Sequence, residues 1–275
     1  MKTWFITGAS SGLGRCFAEA ALKRGDQVAA ASIDPENMQD YPKNYGENVL
    51  VLDLDISKSD QVKEAFAKAV DTFGHIDVLV NNAGFMQCGA IESMEEDEVR
   101  RIFDCNFFGT FFLSKEAARH MRLRQSGTII QIASLSAVDT IAGEGMYGAT
   151  KHAVLGMSQA LHMELEPFGV KVVIVEPGPV HTNMSKRAKL CRNPIHAYDK
   201  IVGSELDRWA QDAEYDLPGA DPAKCAQVIL KLADAQNPPR EIVLSSFAYN
   251  VLQECTSRRL SWAEEWKADT VAADE

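Results

Sequence analysis

TGASSGLG, Thr7 to Gly14, lies between the apolar run TWFIT (3–7) and the helix-like stretch RCFAEAALKRG (15–25). A glycine-rich turn there sets a helix N-terminus against the carboxyl end of a strand, where free N–H groups and the helix dipole favour a phosphate. In an open parallel sheet that place is the ligand crevice. Gly8 allows the tight turn, Gly12 lets the backbone approach a phosphate, and Gly14 lets the helix pack closely. Ser10, Ser11 and Leu13 complete the candidate binding turn. The spacing is GxxxGxG, not the more common GxGxxG.

Outward from the turn, short apolar runs alternate with helical ones. The strand-like runs are TWFIT, QVAAAS (27–32), NVLVLD (48–53), IDVLV (76–80), TIIQIA (128–133), VKVVIV (170–175) and EIVLS (241–245). Helical stretches fall at 15–25, 61–74, about 96–123, 146–165 and about 222–234. The strand runs are mostly apolar instead of alternating, as burial on both faces requires. The pattern implies an α/β fold: a doubly wound parallel sheet of about seven strands with helices on both faces, three layers in all. Gly25 is placed to stop the first helix, Ser57 and Ser59 are candidate N-caps of the next, and Pro167 with Gly169 ends the helix over 146–165. A single domain is expected over 1–275, with a substrate-loop region at about 183–220 and a C-terminal tail after about 246. The basic cluster Lys186, Arg187, Lys189 and Arg192 reads as a solvated helix face.

With 46% hydrophobic and 24% charged residues, the 275-residue chain has a globular composition. Its net charge of −11 argues against nucleic acid or an anionic membrane as partner, since both need a positive field. No apolar run approaches the roughly 18 residues of a membrane span, and MKTWFITG enters a strand with no signal-peptide pattern. A cytoplasmic location is expected. Cys16, Cys88, Cys105, Cys191, Cys225 and Cys255 form no CxxC pair and read as reduced thiols, and no histidine spacing suggests a metal.

The stretch MYGATKHAVLGMSQALHMEL (146–165) places Tyr147 and Lys151 four apart on one helix face. Ser134 precedes Tyr147 by 13 residues at the end of TIIQIA, Asn106 lies in CNFFGT, NNAG spans 81–84 and PGPVHT spans 177–182. In this order and spacing the motifs resemble the short-chain dehydrogenase/reductase family, in its compact single-domain branch on a Rossmann-type sheet. The likeness covers about residues 3–182, and more weakly as far as about 245.

The resemblance implies an NAD(P)-dependent oxidoreductase that interconverts a secondary alcohol and its ketone by hydride transfer. Such a site needs a proton donor and a hydrogen bond aimed at the carbonyl oxygen. By resemblance Tyr147 is the general acid or base, and Ser134 polarises the carbonyl, with Ser136 offset and secondary. Lys151 lowers the tyrosine's pKa and holds the nicotinamide ribose, and Asn106 continues the proton path through water. An adjacent ammonium stabilises a phenolate whose ordinary pKa is about 10. The resemblance also assigns Asn82, Ala83 and Gly84 to the adenosine ribose, with Asn81 bracing the strands. Asp55 and the Ile56 backbone go to the adenine, and Pro177, Gly178, Val180 and Thr182 to the nicotinamide carboxamide.

Cofactor choice turns on the end of the second strand, where an acid accepts from the ribose 2′-OH or a base receives a 2′-phosphate. Ser32 and Ile33 stand there, and neither decides. NAD(H) and NADP(H) both stay open, with a slight lean to NAD(H); Asp34 lies two positions past the acid site. The expected substrate is a small alcohol or ketone, with Phe85, Met86, Ile141, Met146 and Val180 compatible with a hydrophobic one. The resemblance implies a homodimer or homotetramer. A non-catalytic nucleotide sensor on the same fold is the alternative.

Overall fold

The computed structural model describes residues 1–203 and 219–274. Seven strands form one sheet: β1 (Thr3–Thr7), β2 (Gln27–Ser32), β3 (Val49–Asp53), β4 (Val78–Asn81), β6 (Gly127–Ile132), β7 (Val170–Pro177) and β9 (Glu241–Leu244). Their order is β3-β2-β1-β4-β6-β7-β9, and every pairing is parallel, with Ile6 between Ala30 and Val80. The chain winds outward one way from β1 and the other way from β4. The crevice between the carboxyl ends of those two strands is therefore the switch point.

β1 shows why the runs had to be continuously apolar. Its five residues are all buried, and they divide by parity between two cores. Trp4 and Ile6 pack with Phe17 of α1 (Gly12–Lys23) and Ile229 of α7 (Pro222–Asp234). Phe5 faces the opposite way, toward Phe66 of α3 (Ser59–Phe73) and Leu113 of α5 (Thr110–Arg124).

Several boundaries differ from the sequence reading. α1 starts at Gly12, because side chains show the helical pattern only once the two glycines are passed. The expected helix over 96–123 is α4 (Glu96–Phe103), a π-helical turn (Asp104–Gly109) and α5. Ser57 and Ser59 do not cap α3: Lys58 is the N-cap residue, and Asp55 Oδ1 accepts from both the N–H and the hydroxyl of Ser57. The stretch after 246 is helix, α8 (Ser246–Glu265) and α9 (Lys267–Ala272), because Ser245 caps it and Phe247, Val251 and Cys255 recur one turn apart on the face toward the body.

The expected substrate-loop region is described except for 204–218, which lie outside the described residues. Its basic cluster is not one helix face: Lys186 and Arg187 are exposed on a single 3-10 turn (Ser185–Arg187), and the other two lie beyond it. Lys189–Leu190 forms β8, paired with β5 (Gln87–Cys88), and Arg192 pairs with Asp97 on α4. No described helix is long and apolar enough to cross a membrane.

Candidate active site

A crevice of about 1140 Å³ opens over the switch point. The candidate site residues line it except Gly14 and Asn106, which stand directly behind its wall, and Asn81 and Met146, which pack away from it in the sheet and beside Ile102. Gly8 and Gly12 hold φ of +66° and +55°, where a side chain would be strained. A Cβ at Gly14 would lie 2.3 Å from the Gly8 carbonyl oxygen, so this glycine closes the turn onto itself. At Gly12 a Cβ would meet only Thr182, at 3.7 Å, which leaves the helix N-terminus open to a phosphate. The chain therefore fits a dinucleotide here.

Thr7 ties the turn to β4. Its hydroxyl accepts from the Asn82 and Ala83 N–H groups, and its carbonyl accepts from Asn82 Nδ2 at 2.9 Å. Asn81 braces the sheet, donating to Gln131 on β6 and Ser114 on α5. At the end of β2 the Ser32 hydroxyl donates to Ser10 Oγ at 2.8 Å and accepts from the Asp34 N–H. Ile33 is exposed, and Asp34 lines the crevice.

Tyr147 and Lys151 sit in α6 (Gly145–Leu165), 4% and 3% exposed. Burial pushes the Tyr147 hydroxyl well above its ordinary pKa; hydrogen bonding with Ser134 pulls it down, and the charge of Glu144 pushes it further up. Burial also pulls Lys151 down to about 8. Its Nζ donates to the Ile132 carbonyl at 3.0 Å and lies 5.6 Å from the centre of the Tyr147 ring. Asn106 occupies the π-helical turn, where Oδ1 accepts from the Phe85 N–H and Nδ2 donates to Phe85 O and Thr150 Oγ1. A Cβ at Gly84 would lie 3.0 Å from Asn106 Oδ1 and 3.8 Å from Lys151 Nζ, so the three positions meet.

Two residues were not assigned to the site by the sequence. Arg187, placed with a solvated face, donates to Ser11 Oγ at 3.2 Å across the glycine-turn end of the crevice. Glu144 lines the crevice beside Tyr147 and accepts from Ser136 Oγ at 2.6 Å. Only its place in the turn before the Tyr147 helix could have flagged it. Burial pushes the Cys88 and Cys105 thiols up to about 12 and about 11, as inert packing groups.

Comparison with known proteins agrees with this geometry. Residues 2–192 match the family described as short chain dehydrogenase. Oxidoreductase BOA17 of Botryotinia fuckeliana is 31% identical over 99% of this chain and 99% of its own length. A short-chain dehydrogenase from Streptomyces avermitilis superposes with a TM-score of 0.91 at 33% identity, covering 100% of this chain and 99% of the other. A 3-ketoacyl-(acyl-carrier-protein) reductase from Brucella melitensis, complexed with NADH, superposes at 0.75 with 25% identity over 88% and 96% of the two chains. With sheet order, glycine turn and sequence match in agreement, the chain belongs to the short-chain dehydrogenase family of oxidoreductases.

Proposed function

We propose that the protein interconverts a secondary alcohol and its ketone with a nicotinamide cofactor. The observation that carries this reading is the convergence of Tyr147, Ser134 and Lys151 on the same crevice as the glycine turn. The bound cofactor supplies or accepts the hydride. Tyr147 gives its proton to the substrate oxygen in reduction and takes it back in oxidation, and Ser134 orients that oxygen. Lys151 holds the ribose, and Asn106 supports the proton path from behind. The ketone reductase with NADH bound supports both the reaction class and the cofactor class.

Gly8, Ser10, Ser11, Gly12 and Leu13 hold the pyrophosphate, with Gly14 closing the turn. Asp55, Ile56, Asn82, Ala83 and Gly84 hold the adenosine, and Pro177, Gly178, Val180 and Thr182 the carboxamide. Asp34 in the crevice wall and a Ser32 hydroxyl engaged with Ser10 support NAD(H) over NADP(H). Exposed Phe108, Phe111 and Met163 support pairing with a second copy.

Calorimetric titration with NADH and NADPH, followed by a ketone panel read by loss of reduced-nicotinamide absorbance, tests the reading. Tighter NADH binding with turnover is expected. Binding with no turnover on any ketone would make the protein a nucleotide sensor, and binding of neither form would overturn the assignment.

A further inference from the structure

The helix α8 has no task in that reaction, yet it supplies part of the crevice wall. It leaves β9 at Ser245, which holds φ of +106°, a backbone conformation that side chains resist. Ser245 Oγ accepts from the Ala248 N–H and so caps the helix. The helix start is seated on the loop after β7, since a Cβ at Gly178 would lie 3.0 Å from Ser245 Oγ and 3.1 Å from Ala248 Cβ. Phe247, Val251, Cys255 and Arg258 then follow four, four and three apart on one face. The first two line the crevice. The other two fasten to the turn after Ser134: Cys255 Sγ donates to Val138 O at 3.2 Å, and Arg258 pairs with Asp139 at 2.7 Å. α8 thus bridges two loops of the crevice and presents two apolar side chains to it. Ile141 and Met184 line the same crevice while 44% and 38% exposed, so apolar surface there faces water.

We propose that Phe247 and Val251 are specificity-determining residues, the wall of a substrate subsite that takes an apolar arm, alkyl or aryl, attached to the reacting carbon. An arm laid against them removes apolar surface from water on both sides, a gain of about fourfold in affinity for each methylene buried. A polar arm of equal length gains none of this and loses its own hydration. The fastening of α8 to the turn after Ser134 fixes the wall relative to the serine that orients the substrate oxygen. The proposal rests on the oxidoreductase reading and narrows its substrate to ketones with a hydrophobic arm and the matching secondary alcohols. Tyr147 keeps the chemistry, and α8 selects the arm.

Methyl ketones whose second arm is a lengthening alkyl chain, a phenyl-ended chain or a hydroxyl-ended chain test it through kcat/KM. In the wild type kcat/KM should rise by about two- to fourfold per carbon up to a best length, chiefly through KM. The alkyl arm should exceed the hydroxyl-ended arm of equal length by about tenfold. Phe247→Ala should cut the advantage of that best arm over the shortest by about tenfold, whereas Phe247→Trp, which adds volume at the same place, should shorten the best arm. Val251→Ala should act in the direction of Phe247→Ala with a smaller effect, and it carries the test if Phe247→Ala fails to fold. A wild type indifferent to the arm, or arm preferences unchanged in all three variants, overturns the subsite while leaving the reaction class standing. Wild-type failure on every ketone overturns the reaction class, and the subsite with it.

Discussion

The two halves of the crevice are built from different materials. The nucleotide half is mostly backbone and small residues: Gly8 and Gly12 at positive φ, the N–H groups opening α1, and serine hydroxyls spent on one another. The half around Tyr147, the proposed catalytic one, is made of large side chains held by partners distant in sequence, such as Asn106 on Phe85 and Tyr147 with Ser134. Backbone geometry leaves a sharp trace in sequence, because only glycine serves it. Side-chain convergence leaves a trace only where the chemistry admits one residue type, as at Tyr147 and Lys151. The first half should thus be intolerant of added volume, and the second of altered chemistry.

The largest expected effect sharpens that contrast. Tyr147→Phe removes one hydroxyl and should lower kcat by about 10²- to 10⁴-fold, with nucleotide affinity by calorimetry preserved. In the other half, Gly14→Ala drives a Cβ to 2.3 Å from the Gly8 oxygen, so denaturant unfolding should show a loss of about 1–3 kcal/mol, along with weakened nucleotide binding. A stable Gly14→Ala protein with normal affinity would break the distinction.

Lys151 shows the cost of the catalytic half in pH dependence. Its folded pKa of about 8 lies below the ordinary value near 10.4, so the unfolded chain binds the extra proton between those limits. This group therefore destabilises the nucleotide-free protein in full below pH 8, and stability recovers as pH rises from about 8 to about 10. Lys151→Met should be the more stable protein at pH 7 by on the order of 1–2 kcal/mol, with the gap closing toward pH 10 in urea titrations. A gap that widens would refute the burial argument.

The smallest effect falls where the halves meet. Arg187→Gln should weaken NADH and NADPH alike by about three- to tenfold, with a shallower salt dependence, because the guanidinium is exposed and screened. A loss confined to NADPH would instead place Arg187 at the 2′-phosphate.

The apolar runs and the glycine turn made the parallel sheet legible before any coordinates, since burial on both faces and positive φ each restrict residue choice locally. Tyr147, Lys151 and Ser134 were legible for the same reason, with spacing and residue type constrained together. The π-helical turn at Asn106 was not, because a shift in hydrogen-bond register inside an apolar helix changes no local preference. The helix after 246 was read as a tail because its apolar face has meaning only against the body it packs on. Arg187 and Glu144 are the clearest cases of tertiary decision: any arginine in a basic run or glutamate in a turn reads as solvated. Chain folding set one against Ser11, 176 positions away in sequence, and buried the other beside Tyr147. Local sequence restricts what the backbone and the reaction demand, and the folded chain alone determines which charged side chains meet the crevice.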